Sequence, residues 1–232
     1  MGLALEVGIL VSLRGSDEEG LASYRGQFDA VNRALRAAGL GPHREPEGAV
    51  AGLPWSADMA WYSGLHTLRR IAAHLWAGEG VPPPGSAGDT ADALSEAYYR
   101  RGGVAPVPLL GRLLGGGGPR GPRFDHLMLH SDAEGYYLPL DFEKVVVPAA
   151  SLQVAGGMIG SSPRLLRECE VLAEALGIPA TVTADDEEVA LAMEARGQGA
   201  GWRRHGVETF CCLRLLEASR ISVATGAALV FC

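Results

Sequence analysis

The first apolar positions of the chain alternate with polar or small ones and predict a β-strand. Alternation with a period of two places one set of side chains on a single face of an extended chain. Glu6 and Gly8 fall on the opposite face. The apolar set is Leu3, Leu5, Val7, Ile9, Val11 and Leu13. The sequence therefore predicts a strand across residues 3–13 with one buried face.

From residue 16 the apolar spacing changes to three and four, which is typical of an amphipathic helix. Ser16 and Glu19 match the S-x-x-E capping box that begins a helix. Gly39 is a suitable residue to end it. The apolar stripe between these signals is Leu21, Tyr24, Phe28, Val31 and Leu35. We therefore expect one long helix here.

Five later segments of the chain also show helical spacing of their apolar residues. We expect helices from Ser56 to Gly78, from Asp89 or Thr90 through Tyr98, from Ser162 to Gly177, from Asp186 to Arg196, and from Trp202 to Thr225. Ser162 is the predicted N-cap of its helix, because serine there accepts a backbone hydrogen bond. The last helix is apolar around most of its circumference, which predicts a central, buried position.

The stretch FDHLMLHSDAEGYYLPLDF, residues 124–142, predicts a β-hairpin with a turn at residues 132–135. In this register Leu127 and Leu129 face Leu140 and Leu138 on one apolar side, which agrees with burial of that side. The other side then collects His126, Met128, His130, Tyr137, Pro139 and Asp141. The same register places His126 opposite Asp141 and His130 opposite Tyr137.

These elements predict an α+β fold. A small mixed or antiparallel sheet, made of the N-terminal strand, the central hairpin and a C-terminal strand at 227–232, packs against several helices. A short strand is also expected at Val145–Val147. Residues 102–122 contain four consecutive glycines and are expected to be a flexible Gly/Pro-rich loop or insertion. We expect the whole chain, 1–232, to be a single domain.

Composition and charge narrow the class of protein. The chain is 47% hydrophobic and 20% charged, as in ordinary globular proteins, and its net charge is −7. The basic residues are scattered, which argues against a nucleic-acid-binding face. No apolar run reaches the roughly 20 residues that span a bilayer, and no secretory signal is present. We therefore expect a cytoplasmic protein that binds neither nucleic acid nor a membrane.

Two histidines on the polar side of the hairpin are the first candidates for chemistry. His126 or His130 is suited to act as a general base, oriented by Asp141 or Asp132. The same histidines with a carboxylate would also form part of a metal site, but no third ligand is identified and no metal or cofactor is assigned. The alternative is a half-buried sheet face on which both histidines are hydrogen-bonded and structural.

A glycine-rich loop that enters a helix is the second candidate. The stretch GGMIGSSPR, residues 156–164, presents free backbone N–H groups at a helix N-terminus, where negative charge is favoured. A tight turn with an ordinary N-cap explains the same residues equally well. A weaker anion pocket is considered on the helix of His66. The predicted ligand-binding set is Gly160, Ser161, Ser162, Arg164, Tyr137, His66 and Arg69.

Five blocks of the sequence resemble a family of uncharacterised bacterial-type proteins. They are LEVGIL, YSGLHTLRR, HSDAEGYYLPLDF, GGMIGSSPRLL and SVATGAALVFC, and together they span most of the chain. The resemblance implies one domain with 102–122 as a variable insertion. It implies no activity.

Two functions from different classes are compatible with these observations. The first is a binding or regulatory domain that docks an unknown protein partner, since no motif names a reaction. The alternative is a hydrolase or transferase that acts on a small anionic substrate, with the histidine face and the glycine-rich loop lining one cleft. Neither predicts an oligomeric state.

Overall fold

The computed structural model describes residues 3–59, 62–84, 92–101 and 122–232 of the chain. These residues form eight α-helices and a five-stranded mixed sheet, which confirms the α+β class. The helices are α1 (Ile9–Leu13), α2 (Glu18–Ala37), α3 (Tyr62–Ala77), α4 (Ala93–Arg101), α5 (Asp125–Met128), α6 (Ser162–Leu176), α7 (Glu187–Glu194) and α8 (Gly206–Thr225). The strands are β1 (Ala4–Val7), β2 (Trp55–Asp58), β3 (Gly135–Leu138), β4 (Ile159–Ser161) and β5 (Leu229–Phe231). Three 3₁₀ turns lie at Ala150–Leu152, Ala155–Gly157 and Gly201–His205.

The chain divides into two compact units. The first contains Met1–Tyr62, Leu129–Arg167 and Arg214–Cys232, and the second contains Ser63–Met128 and Glu168–Leu213. The expectation of a single domain stays a prediction. The insertion expected at 102–122 lies, apart from Pro122, outside the described residues, as do the two proposed starts of the helix at residues 89–90. Across the described residues, no helix combines the length and the apolar character that crossing a membrane requires.

The sheet belongs to the first unit and has the strand order β2-β1-β5-β3-β4. β5 lies at its centre and pairs antiparallel with β1 on one side and β3 on the other. Only β3 and β4 run parallel. Tyr136, Leu138 and Val230 belong to the same apolar cluster as Phe28 and other buried residues of α2. The expected C-terminal strand is therefore confirmed, and it is the strand around which the sheet is built.

The long helix predicted after residue 16 is confirmed as α2. Four of its five stripe residues are buried, and Tyr24 is partly buried. The N-cap is Asp17, whose Oδ1 accepts a hydrogen bond from the Gly20 N–H at 2.9 Å. Ser16 instead donates to the Ser12 and Leu13 carbonyls. The predicted cap was therefore one residue early, because aspartate and serine are both strong caps and stand side by side.

The first predicted strand is shorter than expected. β1 ends at Val7, because Gly8 adopts φ 83° and turns the chain into α1. Ile9 and Leu10 are buried on that short helix. Ser56 lies within β2 and does not cap α3. Over the five residues of α1 the apolar positions fit the period of a strand or that of a helix, so the pattern alone did not separate the two.

The predicted hairpin over residues 124–142 is wrong. Its first arm is α5, and its second arm is β3, which pairs with β5 and β4. Leu127 and Leu129 therefore do not face Leu140 and Leu138, and His126 does not face Asp141. All four residues of β3 are buried, so the strand does not alternate between a buried and an exposed face. A strand near residue 230 supplies its antiparallel partner. Of the expected strand at Val145–Val147, only a single bridge between Val146 and Ile159 forms.

Helices predominate in the second unit. In α6 the predicted stripe residues Leu165, Cys169, Leu172 and Leu176 are all buried, and the last three lie in this unit. The helix ends at Gly177, where the Ile178 N–H donates to the Ala173 carbonyl at 2.9 Å, as predicted. α7 confirms the helix expected near residue 186. α8 is largely buried, as expected, but it begins at Gly206 after a 3₁₀ turn.

Candidate functional site

The two histidines of the first hypothesis belong to different units. His126 is 1% exposed on α5, and His130 is 3% exposed in the loop before β3. The His130 ring stacks on Tyr137 with 3.9 Å between centroids. Its Nδ1 and Nε2 lie 3.0 and 3.1 Å from the carbonyl oxygens of Ser131 and Tyr136. His130 is therefore held by backbone and aromatic contacts within the first unit.

The expected orienting carboxylates have other surroundings. Asp141 is half exposed and lies between two arginines, with Arg164 Nε at 2.5 Å and Arg167 Nη2 at 3.0 Å. Burial raises the pKa of Asp141, but hydrogen bonds from both arginines outweigh it and bring the pKa below its usual value. Asp132 is partly buried in the turn before β3. The carboxylate of Asp141 therefore pairs with two arginines and not with the histidine that the sequence predicted.

Residues of the protein itself occupy the space around the glycine-rich loop. A Cβ on Gly160 would lie 2.3 Å from the Tyr137 ring, so glycine is required for that contact. Ser161 is the cap of α6: its Oγ accepts from the Arg164 N–H at 3.3 Å and donates to the Leu140 carbonyl. Ser162, the predicted cap, shares a buried 2.7 Å hydrogen bond with Ser222. Arg164, the cation of the predicted anion site, pairs with Asp141.

The helical candidates lie on α3. Arg69 is buried, and its Nε donates to the Leu127 carbonyl at the end of α5, at 2.8 Å. His66 is partly buried on the same helix. In the part of the chain that the structure describes, no three histidine, cysteine, aspartate or glutamate side chains form a metal-binding group. The catalytic and ligand-binding roles of all these residues stay predictions.

Sequence reasoning missed an acidic segment of the second unit. Between Arg167 and Arg196 the chain has no lysine and no arginine but eight carboxylates: Glu168, Glu170, Glu174, Asp185, Asp186, Glu187, Glu188 and Glu194. All eight lie in the second unit, and we call residues 168–195 the acidic segment. The signal was available in the sequence as a local charge count, which the net charge of the whole chain conceals.

Three of the eight carboxylates have structural roles. Glu168 is buried, and its two oxygens accept the backbone N–H groups of His126 and Leu127 at 3.0 and 2.7 Å, at the start of α5. Asp186 precedes α7 and accepts from both the backbone and the hydroxyl of Thr183. Glu188 pairs with Arg203. Folding therefore accounts for these three positions.

Four of the other five lie on helices, are exposed and are not explained in this way; the fifth, Asp185, is exposed in the turn before α7. Glu170 and Glu174 lie on α6, and Glu187 and Glu194 lie on α7. None of the four forms an ion pair with any side chain in the described ranges. We call these four residues the exposed acidic set.

Two members of the exposed acidic set lie where a helix disfavours negative charge. Glu174 is in the last turn of α6, and Glu194 is the last residue of α7; neither helix has a basic residue in its last turn. The C-terminal end of a helix carries partial negative charge, so a carboxylate there costs about 0.3–1 kcal/mol. Glu170 and Glu174 are also like charges four residues apart, which costs about 0.2–0.5 kcal/mol. These charges therefore weaken the fold slightly.

The backbone of α7 is fixed firmly within its unit. A Cβ on Gly206 would lie 2.2 Å from the Ala192 backbone carbon, so the two chain segments touch directly. Val189 and Ala192 are buried on that side. Arg203 pairs with Glu188 and lies over the Trp202 ring, 4.5 Å from its centroid. α7 therefore presents its outer face, with Glu187 and Glu194, from a rigid support.

The comparisons with known proteins give one finding. A family model described as "Putative DNA-mimic protein" matches residues 1–231. No curated protein and no solved structure matches the chain. The family match contradicts the alternative function drawn from the sequence, a hydrolase or transferase, and with it the small anionic ligand. It is compatible with the first expectation, a domain that docks a protein partner. The resemblance to an uncharacterised bacterial-type family stays a prediction.

Proposed function

The chain belongs to the family described as putative DNA-mimic proteins, and from this membership we propose that it binds a DNA-binding protein in place of DNA. In this function carboxylates of the protein replace phosphates and contact the arginines and lysines that the partner uses for DNA. We assign the exposed acidic set to this role. The cytoplasm is the proposed location.

The spacing of the exposed acidic set suits this role. Glu170 and Glu174 are separated by about 6 Å along the axis of α6, since a helix rises about 1.5 Å per residue. DNA carries one phosphate per about 3.4 Å of each strand, so two nucleotides span about 7 Å. A row of partner cations spaced for phosphates therefore meets carboxylates at a similar interval. The absence of lysine and arginine from residues 168–195 leaves this charge uncompensated locally.

One observation carries the proposal beyond the family match: Glu174 and Glu194 lie at helix C-termini, where their charge costs stability. Residues that lower stability in the free protein are typical of functional surfaces, because function and not folding retains them. Paired or capping carboxylates, such as Asp186, do not carry this argument. Glu174 and Glu194 carry it, whereas Glu187 lies in the first turn of α7, where negative charge is favourable.

The proposal also accounts for how such a protein would compete with DNA. A concentrated negative charge steers a cationic partner and raises the association rate, and this effect weakens as salt screens it. Contacts between exposed charges are individually weak, at about 0.2–1 kcal/mol each. Affinity therefore has to come from several carboxylates acting together.

The experiment is displacement of DNA from purified DNA-binding proteins. A fluorescent DNA duplex is bound to each member of a panel of DNA-binding proteins, which between them read the major groove, the minor groove and the phosphate backbone. The fluorescence anisotropy of the duplex is followed as the proposed DNA mimic is added. We expect the wild-type protein to release the duplex from at least one panel member. The variant E170Q/E174Q/E187Q/E194Q should need about 4- to 1000-fold more protein at low salt, since four contacts contribute about 0.2–1 kcal/mol each.

A charge-matched control separates this site from net charge. E18Q/E19Q/D29N/D58N removes four exposed carboxylates from the first unit and should displace DNA as well as the wild type. Equal loss in both variants would mean that overall charge, and not the exposed acidic set, is recognised. Failure of the wild-type protein to displace DNA from any panel member at micromolar concentration would overturn the proposed function.

A further inference from the structure

We infer that Leu191 is an apolar anchor, which restricts the partners of the acidic segment to basic DNA-binding surfaces that also have an apolar recess. The inference rests on the proposed function and deepens it. Leu191 is 57% exposed, although it lies in the middle of the ordered helix α7. Its neighbours on the outer face are Glu187, four residues before it, and Glu194, three residues after it.

Packing does not account for this leucine. The inner face of α7 is already formed by Val189 and Ala192, which are 0% and 5% exposed. The close approach of Gly206 to the Ala192 backbone prevents the helix from rolling to cover Leu191, because any roll would separate that contact. Single exposed leucines are common on protein surfaces. Here the leucine stands between two carboxylates of the exposed acidic set.

The arrangement matches the anatomy of a specific protein interface. Binding energy concentrates in an apolar residue that fills a pocket near the centre, while polar and charged contacts form the rim around it. Glu187 and Glu194 lie about one helical turn to either side of Leu191. The complementary surface is therefore an apolar recess with a guanidinium or ammonium group on each side.

The apolar contact also gives selectivity that charge alone lacks. The sugar–phosphate backbone offers partner cations a line of charge and no branched aliphatic side chain between them. A cationic surface without a recess would have to leave Leu191 exposed or clash with it, and would bind less well. The partner class is thus narrower than all proteins that bind DNA.

The test compares L191Q with V223Q in the same displacement assay, at 0.1 M and 0.5 M NaCl. Val223 is also exposed on a helix, but it belongs to the first unit and carries no acidic segment around it. We expect L191Q to weaken displacement about tenfold, as loss of a central interface side chain typically does, and V223Q to have no effect. The tenfold loss should persist at 0.5 M NaCl, because salt does not screen apolar contacts. L191M, which stays apolar, should displace DNA nearly as well as the wild type.

The outcomes separate the inference from the proposed function. If L191Q displaces DNA as well as the wild type does, or if its defect disappears at 0.5 M NaCl, the anchor is wrong and the charge mimicry stands. If the wild type displaces nothing, both are wrong. A melting temperature for L191Q within about 2 °C of wild type shows that the helix is intact. If L191Q melts lower, L191S and L191N must show the same binding defect, or the inference is overturned.

Discussion

Two groups of exposed carboxylates differ in their surroundings. In the first unit, Glu47 pairs with Arg25, and Asp141 lies between Arg164 and Arg167. Other exposed carboxylates of that unit, namely Glu18, Glu19, Asp29 and Asp58, form no ion pair with the described residues. In the second unit, the exposed acidic set on α6 and α7 meets no cation in the described residues. Both kinds of carboxylate are exposed, so exposure by itself does not separate them. The presence or absence of a partner does.

This difference shows why a net charge of −7 is uninformative by itself. A paired carboxylate contributes to the charge total but presents little field, whereas the exposed acidic set presents its charge to an incoming protein. The acidic segment also contains both kinds, since Glu168 is buried under two backbone N–H groups. Single substitutions can therefore test which carboxylates hold the fold and which are available to a partner.

The largest effect is expected for Glu168→Ala. The substitution leaves the N–H groups of His126 and Leu127 without their buried acceptor, which should lower the free energy of unfolding by about 3 kcal/mol. Urea unfolding of E168A measures this. Glu170→Ala, two residues away and exposed, should change stability by less than about 0.5 kcal/mol. Similar losses in both variants would contradict the division of the acidic segment into structural and exposed carboxylates.

A smaller effect of opposite sign is expected for E174Q/E194Q. Removing two carboxylates from helix C-termini should raise the free energy of unfolding by about 1 kcal/mol, and the melting temperature by roughly 2–4 °C for a chain of this size. Calorimetry measures the shift, and the displacement assay should show weaker binding by the same protein. Loss of stability in this variant would remove the main structural support for a functional charge.

The smallest effect, which is also the one that depends on pH, is expected for Asp141→Asn. Because the folded-state pKa of Asp141 is lowered by Arg164 and Arg167, the ion pair stabilises the protein above the unfolded pKa of about 3.9. That contribution is lost as pH falls through the folded pKa. At half exposure, solvent screening limits it to about 0.5 kcal/mol. D141N should therefore be slightly less stable than wild type at pH 7, and the difference should shrink as the pH falls below about 4, as measured by urea unfolding.

The sequence predicted elements whose signals are local. α2 has a cap, a stripe and a terminating glycine within the 23 residues from Asp17 to Gly39, and α6 ends at Gly177 as its sequence predicts. The hairpin failed for the opposite reason. The antiparallel partner of β3 is β5, more than 90 residues further along the chain, and no local pattern encodes such a pairing.

The candidate site was missed for a related reason. Attention to histidines and to a glycine-rich loop followed the chemistry of enzymes, in which a few residue types converge on one pocket. The residues of a charged docking surface do not have to converge on one pocket. In the sequence such a surface shows only as a run of acidic residues without basic ones. The separation into structural and exposed carboxylates could not be predicted, because it depends on contacts such as those from His126 and Leu127 to Glu168.

The central position of β5 sets an order of events during synthesis. β1 emerges from the ribosome first but cannot gain its second neighbour until residues 229–231 have been made. The described parts of the second unit, which include the acidic segment, are complete in sequence by residue 213. Pairing between distant strands is slow compared with local helix formation. The first unit is therefore the last to close its sheet, and the edge of β1 that meets β5 stays unpaired until then.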